Sequence, residues 1–167
     1  MTIAIGSKLP EATLFETTKF GDACPLSPEP VSVAAASKGK KVVIFGLPGA
    51  YTPTCSAQHV PGYVKDLEAL KSRGVDEVWC VSVNDGFVMA AWGKDLGAIG
   101  KVRMLGDGSA EFAQKTGLVK DLTAAGMGLR IQRFSMLVDD GVVKQLNVEA
   151  PGKFEVSDSG TMLKQLG

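Results

Sequence analysis

Residues 45–63, FGLPGAYTPTCSAQHVPGY, set one cysteine among prolines, threonines and glycines directly after an apolar run. A thiol that only fills a core requires none of that punctuation, so the loop reads as a device for holding Cys55 where it can react. Thr52-Pro53 has the form of a helix start. Threonine can cap, and proline at the first helical position gives up no N–H that the helix needs. Cys55 then falls in the first turn, beside unpaired N–H groups and the positive end of the helix dipole. Such surroundings favour thiolate over thiol, and thiolate is the nucleophile. Pro48 and Gly49 allow a sharp turn that brings further N–H groups to the same spot. The expectation is an exposed sulfur at the start of a helix that Pro61 kinks near Val60.

A buried cysteine at a strand-to-helix junction is the ordinary fate of a free thiol, and the flanking Thr-Pro-Thr argues against it. The loop lacks the Gly-Lys-Ser/Thr ending of a phosphate-binding loop. His59, four residues after Cys55, lies on the same helical side and opens a reading as a Cys-His hydrolase. No supporting Asn or Asp and no oxyanion hole can be identified for it. A redox-regulated binding protein is a third class, one that would capture partners on oxidation with negligible turnover. The remaining cysteines are Cys24, in a Pro- and Ser-rich stretch and read as a loop bystander, and Cys80, in the middle of VWCVSV. Three cysteines without Cys-x-x-Cys, and a single histidine, fit neither a disulfide scaffold nor a zinc site. No metal or other cofactor is called for.

The elements that must carry this loop follow from pattern. Residues 41–47 (KVVIFGL), 75–83 and 101–105 read as buried strands. Helical spacing of Val64, Leu67 and Leu70 continues to a stop at Gly74. Asn84 and Ser109 are placed to cap two further helices. Residues 129–138 and 142–148 form a long hairpin around Asp139-Asp140-Gly141, and Ser157 or Asp158 caps a closing helix that ends near Leu166. Residues 21–41 read mostly as loop. Strands alternating with helices, then a hairpin, predict an α/β protein with a mixed central sheet and helices on both faces. Reactive groups in such sheets sit beyond the carboxyl ends of the strands, where the loop after Leu47 lies.

Composition bounds the function. The 167 residues suit one domain, 1–167, and lysine plus arginine balance aspartate plus glutamate at 18 against 18. That neutrality argues against nucleic acid or an anionic membrane surface as partner. No apolar run approaches the roughly 20 residues of a membrane span. The first residues do not read as a secretory signal, so a cytoplasmic protein is the default.

The run Pro48-Gly49-Ala50-Tyr51-Thr52-Pro53-Thr54-Cys55 resembles the active-site loop of the peroxiredoxins, whose Pro-x-x-x-Thr-x-x-Cys pattern is met by Pro48, Thr52 and Cys55. SAQHVPGY, VSVND from Val81 and RFSMLVDDGVVKQLNVE from Arg133 are similar to the type II, plant-like group. The likeness extends over nearly everything from Lys40 onward, and to KLPEATLF near the start. The resemblance implies a thioredoxin fold behind an N-terminal extension and thiol-dependent reduction of hydroperoxides. It makes Cys55 the attacking sulfur, Thr52 a hydrogen-bond partner of thiolate and peroxide, Pro48 a shield, and Arg133 the cation that polarises both sulfur and peroxide. Gly49 and His59 take supporting roles. Strand alternation alone does not choose Arg133 over Arg130; only the family motif does.

The resemblance also places a second cysteine at Cys80, 25 positions after Cys55, as a candidate resolving thiol. A mid-strand thiol should not reach Cys55 in the packed chain, so a disulfide between them requires local unfolding. Otherwise glutathione, glutaredoxin or thioredoxin attacks the oxidised sulfur directly. Relatives occur as monomers and homodimers, and this chain does not choose between them. Tyr51 departs from a common phenylalanine, the stretch around Cys24 matches nothing in the group, and GKFEVSDSG near the end carries no resolving cysteine.

Overall fold

Alternation of apolar side chains along three short runs builds the centre of the molecule, whose computed structural model describes residues 1–167. The strands are β1 (Thr13–Glu16), β2 (Glu29–Ser32), β3 (Lys41–Gly46), β4 (Glu77–Ser82) and β5 (Arg103–Gly106), then β6 (Val119–Leu122), β7 (Gly128–Ile131), β8 (Phe134–Asp139) and β9 (Val142–Val148). The helices are α1 (Val33–Ser37), α2 (Val60–Lys65), α3 (Leu67–Ser72), α4 (Gly86–Asp95), α5 (Glu111–Thr116) and α6 (Ser159–Leu166). Seven strands form one sheet in the order β2-β1-β5-β4-β3-β8-β9. Strands β3, β4 and β5 are parallel neighbours, and β1 and β8 join antiparallel.

Because strand side chains alternate, the central strands feed two cores. Val42, Ile44, Trp79 and Val81 pack on one face with Val33 of α1 and Phe112 of α5. Val43, Phe45, Val78 and Cys80 pack on the other with Tyr63, Leu70, Met89, Trp92 and Met162, from α2, α3, α4 and α6. This is the expected mixed sheet with helices on both faces. No helix is long and apolar enough to cross a membrane.

Several local expectations are corrected. Residues 21–41 are not mostly loop, since β2 pairs with β1 and α1 follows it, capped by the Ser32 hydroxyl. Pro30 hid that strand, yet β2 lies at the sheet edge, where a missing N–H is tolerated. The helix leading to Gly74 is divided at Asp66, whose ψ of 9° leaves helical geometry. Asp85, not Asn84, caps α4, and Asp107, not Ser109, receives the first N–H groups of α5 from Phe112 and Ala113. Asp158 caps α6.

The largest correction concerns the hairpin. Residues 129–138 are not one strand: β7 pairs with β6 in a separate two-stranded sheet, while β8 belongs to the central one. Ile131 and Phe134 share one core although an unbroken strand would set them on opposite faces. The break falls at Gln132-Arg133. Beyond β8, Asp140 and Gly141 both take positive φ, 48° and 76°, as a two-residue hairpin turn requires.

Candidate active site

The loop after β3 leaves the carboxyl edge of the parallel strands and is clamped before it reaches the cysteine. Ala50 N–H donates to Asn84 Oδ1 at 3.0 Å, and Asn84 in turn accepts from the Ser82 hydroxyl. That N–H is therefore not aimed at the sulfur, as the turn at Pro48-Gly49 suggested. Arg130 Nη1 donates to the Pro48 carbonyl at 3.2 Å. Gly49 has its reason here, because a Cβ would lie 2.9 Å from Arg130 Nη1. Tyr51 takes φ 61°, and its hydroxyl donates to Asp95 on α4 at 2.6 Å, a contact phenylalanine could not make.

Helical geometry begins at Pro53, and Thr52 accepts the first intrahelical bond, from Ser56 N–H at 3.0 Å. The Thr52 hydroxyl, however, gives its one proton to the Gly49 carbonyl at 2.7 Å and makes no bond to Cys55. Residues Cys55–His59 form a π-helical turn in which Val60 N–H reaches back to the Cys55 carbonyl. Pro61 cannot donate, so the helix widens just ahead of it; this is the distortion expected near Val60, in a form common at functional sites.

Cys55 is not exposed. Its relative accessibility is 0%, with the side chain turned into the core on the α2 face. Arg133 meets it there. One guanidinium nitrogen, Nη2, donates to Cys55 Sγ at 3.1 Å, and Nη1 lies 3.0 Å from His59 Nδ1. The strand break places the two arginines differently, Arg133 on the sulfur and Arg130 on the loop backbone. A cavity of about 380 Å³, lined by Pro48, Thr54 and Arg133 among others, opens beside this cluster.

The hydrogen bonds determine the state of His59. Its Nε2 lies 3.1 Å from the Ser157 carbonyl, which only accepts, so Nε2 carries the proton and Nδ1 offers its lone pair to Arg133. Burial, reinforced by the Arg133 charge, pulls the His59 pKa down to about 3. Ser157 is held in turn by Glu149, whose carboxylate accepts from the N–H groups of Glu155, Val156 and Ser157 and from the Ser157 hydroxyl. Burial alone would raise the Glu149 pKa, and these donors hold it below the usual range instead. Sequence reasoning gives no site role to Glu149 or Asn84, and leaves Arg130 beside Arg133 as an alternative that the structure assigns to the loop backbone. A carboxylate and an amide serving backbone groups far along the chain leave no local signal.

The histidine predicts a pH effect. Its folded pKa lies below the unfolded value near 6.5, so the unfolded chain binds the extra proton. Stability is then fully present above about pH 6.5 and is lost as pH falls towards 3. Between pH 6.5 and 5, above most carboxylates, the loss approaches about 1.4 kcal/mol per pH unit. Denaturant melts of wild type and His59→Gln over that range should show the slope in the former alone; equal slopes would contradict the assignment.

Cys80 is fully buried on the same face as Cys55, opposite Phe45 in the sheet. Burial, with Cys55 nearby, pushes its thiol pKa well up. Cys24 is exposed and unpaired.

A cysteine gripped by a guanidinium thus lies at the carboxyl edge of the mixed sheet of a thioredoxin-type fold. The family model described as Redoxin matches residues 4–163. Peroxiredoxin-2B of Arabidopsis thaliana is 46% identical over 164 residues, covering 98% of each chain. The structure of reduced Prx3 from Vibrio vulnificus in complex with H2O2 is 48% identical, with TM-score 0.92 and 99% and 100% of the two chains covered. A Burkholderia cenocepacia chain provisionally described as a thioredoxin reductase is 58% identical, with TM-score 0.95 and 100% and 99% covered. The chain therefore belongs to the Redoxin family, among the peroxiredoxins of the type II, plant-like group. It is a thiol peroxidase, an oxidoreductase acting on peroxide with a thiol reductant.

Proposed function

We propose that Cys55 is the peroxidatic nucleophile and that Arg133 is its principal partner. The thiolate attacks the terminal oxygen of a hydroperoxide, the S–O bond forms as O–O breaks, and the departing oxygen leaves as water or alcohol after taking a proton. Cys55 is left as a sulfenic acid. The observation that carries this reading is the guanidinium at 3.1 Å from the sulfur, positioned to meet both the thiolate and the negative charge that develops on the leaving oxygen. Pro48 shields the site, Gly49 lets Arg130 pass, and His59 orients Arg133. Thr52 enters by turning its hydroxyl from Gly49 towards the incoming peroxide. The hydrolase reading loses support, since both ring nitrogens of His59 are engaged elsewhere and neither can take the proton of Cys55.

For regeneration we propose two routes, an intramolecular disulfide with Cys80 or direct attack on the sulfenic acid by glutathione, glutaredoxin or thioredoxin. The first requires the π-helical turn to unwind, because the Cys80 thiol is buried and protonated until it is released. Mass measurement after one equivalent of hydrogen peroxide tests both the sulfenic intermediate and its fate. On the first route wild type loses two hydrogens as the disulfide forms and only Cys80→Ser is trapped by a sulfenic-acid reagent; on the second both are trapped. Unchanged thiol-supported turnover in Cys80→Ser would remove Cys80 from the cycle.

A further inference from the structure

We infer that the cavity beside Cys55 takes the carboxylate of a small organic molecule, with Lys120 and Lys153 as its recognition groups. The inference rests on the peroxidase reading of the site and goes on to name the chemistry of what enters it. Size is the first argument. A water molecule's share of the liquid is about 30 Å³, so hydrogen peroxide leaves most of the roughly 380 Å³ unfilled. That volume falls in the range of pockets built for small organic molecules.

The lining is the second. Pockets for uncharged organic ligands are predominantly apolar. Here Ala150, Phe154, Gly152 and two prolines share the wall with six polar or charged side chains. Three cations line it, Lys120, Arg133 and Lys153. The one carboxylate present, Glu149, spends its oxygens on four donors from residues 155–157 and forms no ion pair with any of the three, so the cations outnumber it three to one. Lys120 and Lys153 form none of the molecule's ion pairs. Arg133 is committed to Cys55 and His59. Two ammonium groups outside any ion pair are thus set on the wall of a cavity that Arg133, the partner of Cys55, also lines.

Their placement is local in origin. Lys120 lies on β6 opposite Arg130, which holds the active-site loop. Lys153 lies in the turn between β9 and the Glu149-bound residues, where its N–H donates to the Ala150 carbonyl at 3.0 Å. A molecule with its reactive oxygen or sulfur at Cys55 and a carboxylate several bonds away would pair with these lysines. Two sources share that chemistry, an organic hydroperoxide as oxidant and a carboxylate-bearing thiol as reductant.

Matched probes separate them. Single-turnover oxidation is followed with 4-hydroperoxy-4-methylpentanoate against uncharged tert-butyl hydroperoxide, and recycling with 3-mercaptopropionate against 2-mercaptoethanol. In the double variant Lys120→Gln/Lys153→Gln the ratio of anionic to neutral kcat/KM should fall about fivefold, the scale of two exposed charge contacts. A fall confined to the peroxide pair assigns the site to the oxidant, one confined to the thiol pair to the reductant, and a fall in both to either. Ratios unchanged in both pairs overturn the inference. Wild type gives an independent readout, since added salt should slow the anionic probe more than its neutral partner; equal slowing overturns it as well. Oxidation of wild-type Cys55 by hydrogen peroxide is recorded alongside. If that reaction is absent the peroxidase reading fails, whereas its presence with unmoved ratios sinks the anion site alone.

Discussion

Replacing Cys55 by serine should leave the chain folded and abolish hydroperoxide consumption, lowering the rate at least about a thousandfold to the level of free thiols. The two side chains are nearly the same shape, and Arg133 can donate to a hydroxyl as it does to sulfur. The stability change should stay within about 2 kcal/mol. The chemistry should not survive, because an alcohol is scarcely ionised at neutral pH and oxygen does not displace oxygen from a peroxide as sulfur does. Cys24 and Cys80 remain as internal controls, one exposed and one buried. Peroxide loss measured with excess thiol decides the matter, provided a melt shows the variant folded. Consumption at the wild-type rate would end the assignment of Cys55 and the mechanism built on it.

Arg133→Met should be the second most damaging change, with a loss of about a hundredfold or more. An ordinary cysteine with pKa ~8.5 is roughly 3% thiolate at neutral pH, so complete ionisation gains about thirtyfold at most. That is about 2 kcal/mol, and part is returned because a less basic thiolate is a weaker nucleophile. A preorganised donor at a developing charge contributes on the order of 3 kcal/mol in other enzymes. The larger share of the arginine's effect must therefore lie in the breaking O–O bond. Thiolate absorbance and peroxide rate, measured together on wild type and Arg133→Met, separate the two effects. A rate that falls only in proportion to thiolate would refute the argument. Arg133→Lys should rescue little, since a single ammonium cannot reproduce the fork that reaches Cys55 and His59 at once. Thr52→Val should cost activity beyond its thiolate fraction too, but less than the arginine, because the hydroxyl is spent on Gly49 until substrate arrives.

The relation between Arg130 and Arg133 shows where sequence reasoning stops. Both lie on a stretch that alternates like one strand, and alternation cannot say which side chain meets the sulfur. The deciding feature is the change of sheet at Gln132-Arg133, which depends on β6 competing for β7 while β3 holds β8. The exposure of Cys55 is a similar case. A helix start was legible in Thr52-Pro53, yet the direction in which the first turn faces depends on where α2 packs, and it packs with the sulfur inward.

What the chain declares by itself is local and periodic. Two-residue alternation in the central runs is enough for a sheet covered on both faces, Thr-Pro-Thr-Cys for a thiol in a first helical turn, and Pro61 for a distortion just beyond it. These are matters of neighbouring backbone geometry and solvent transfer, which near-neighbour residues decide. Only the tertiary structure decided that a guanidinium from position 133 closes on the sulfur at 55 and on a neutral histidine at 59, with Glu149 ordering the carbonyl behind them. Those contacts join side chains far apart in sequence, and their energy depends on desolvation and on register between strands. Neither quantity exists until the sheet has formed.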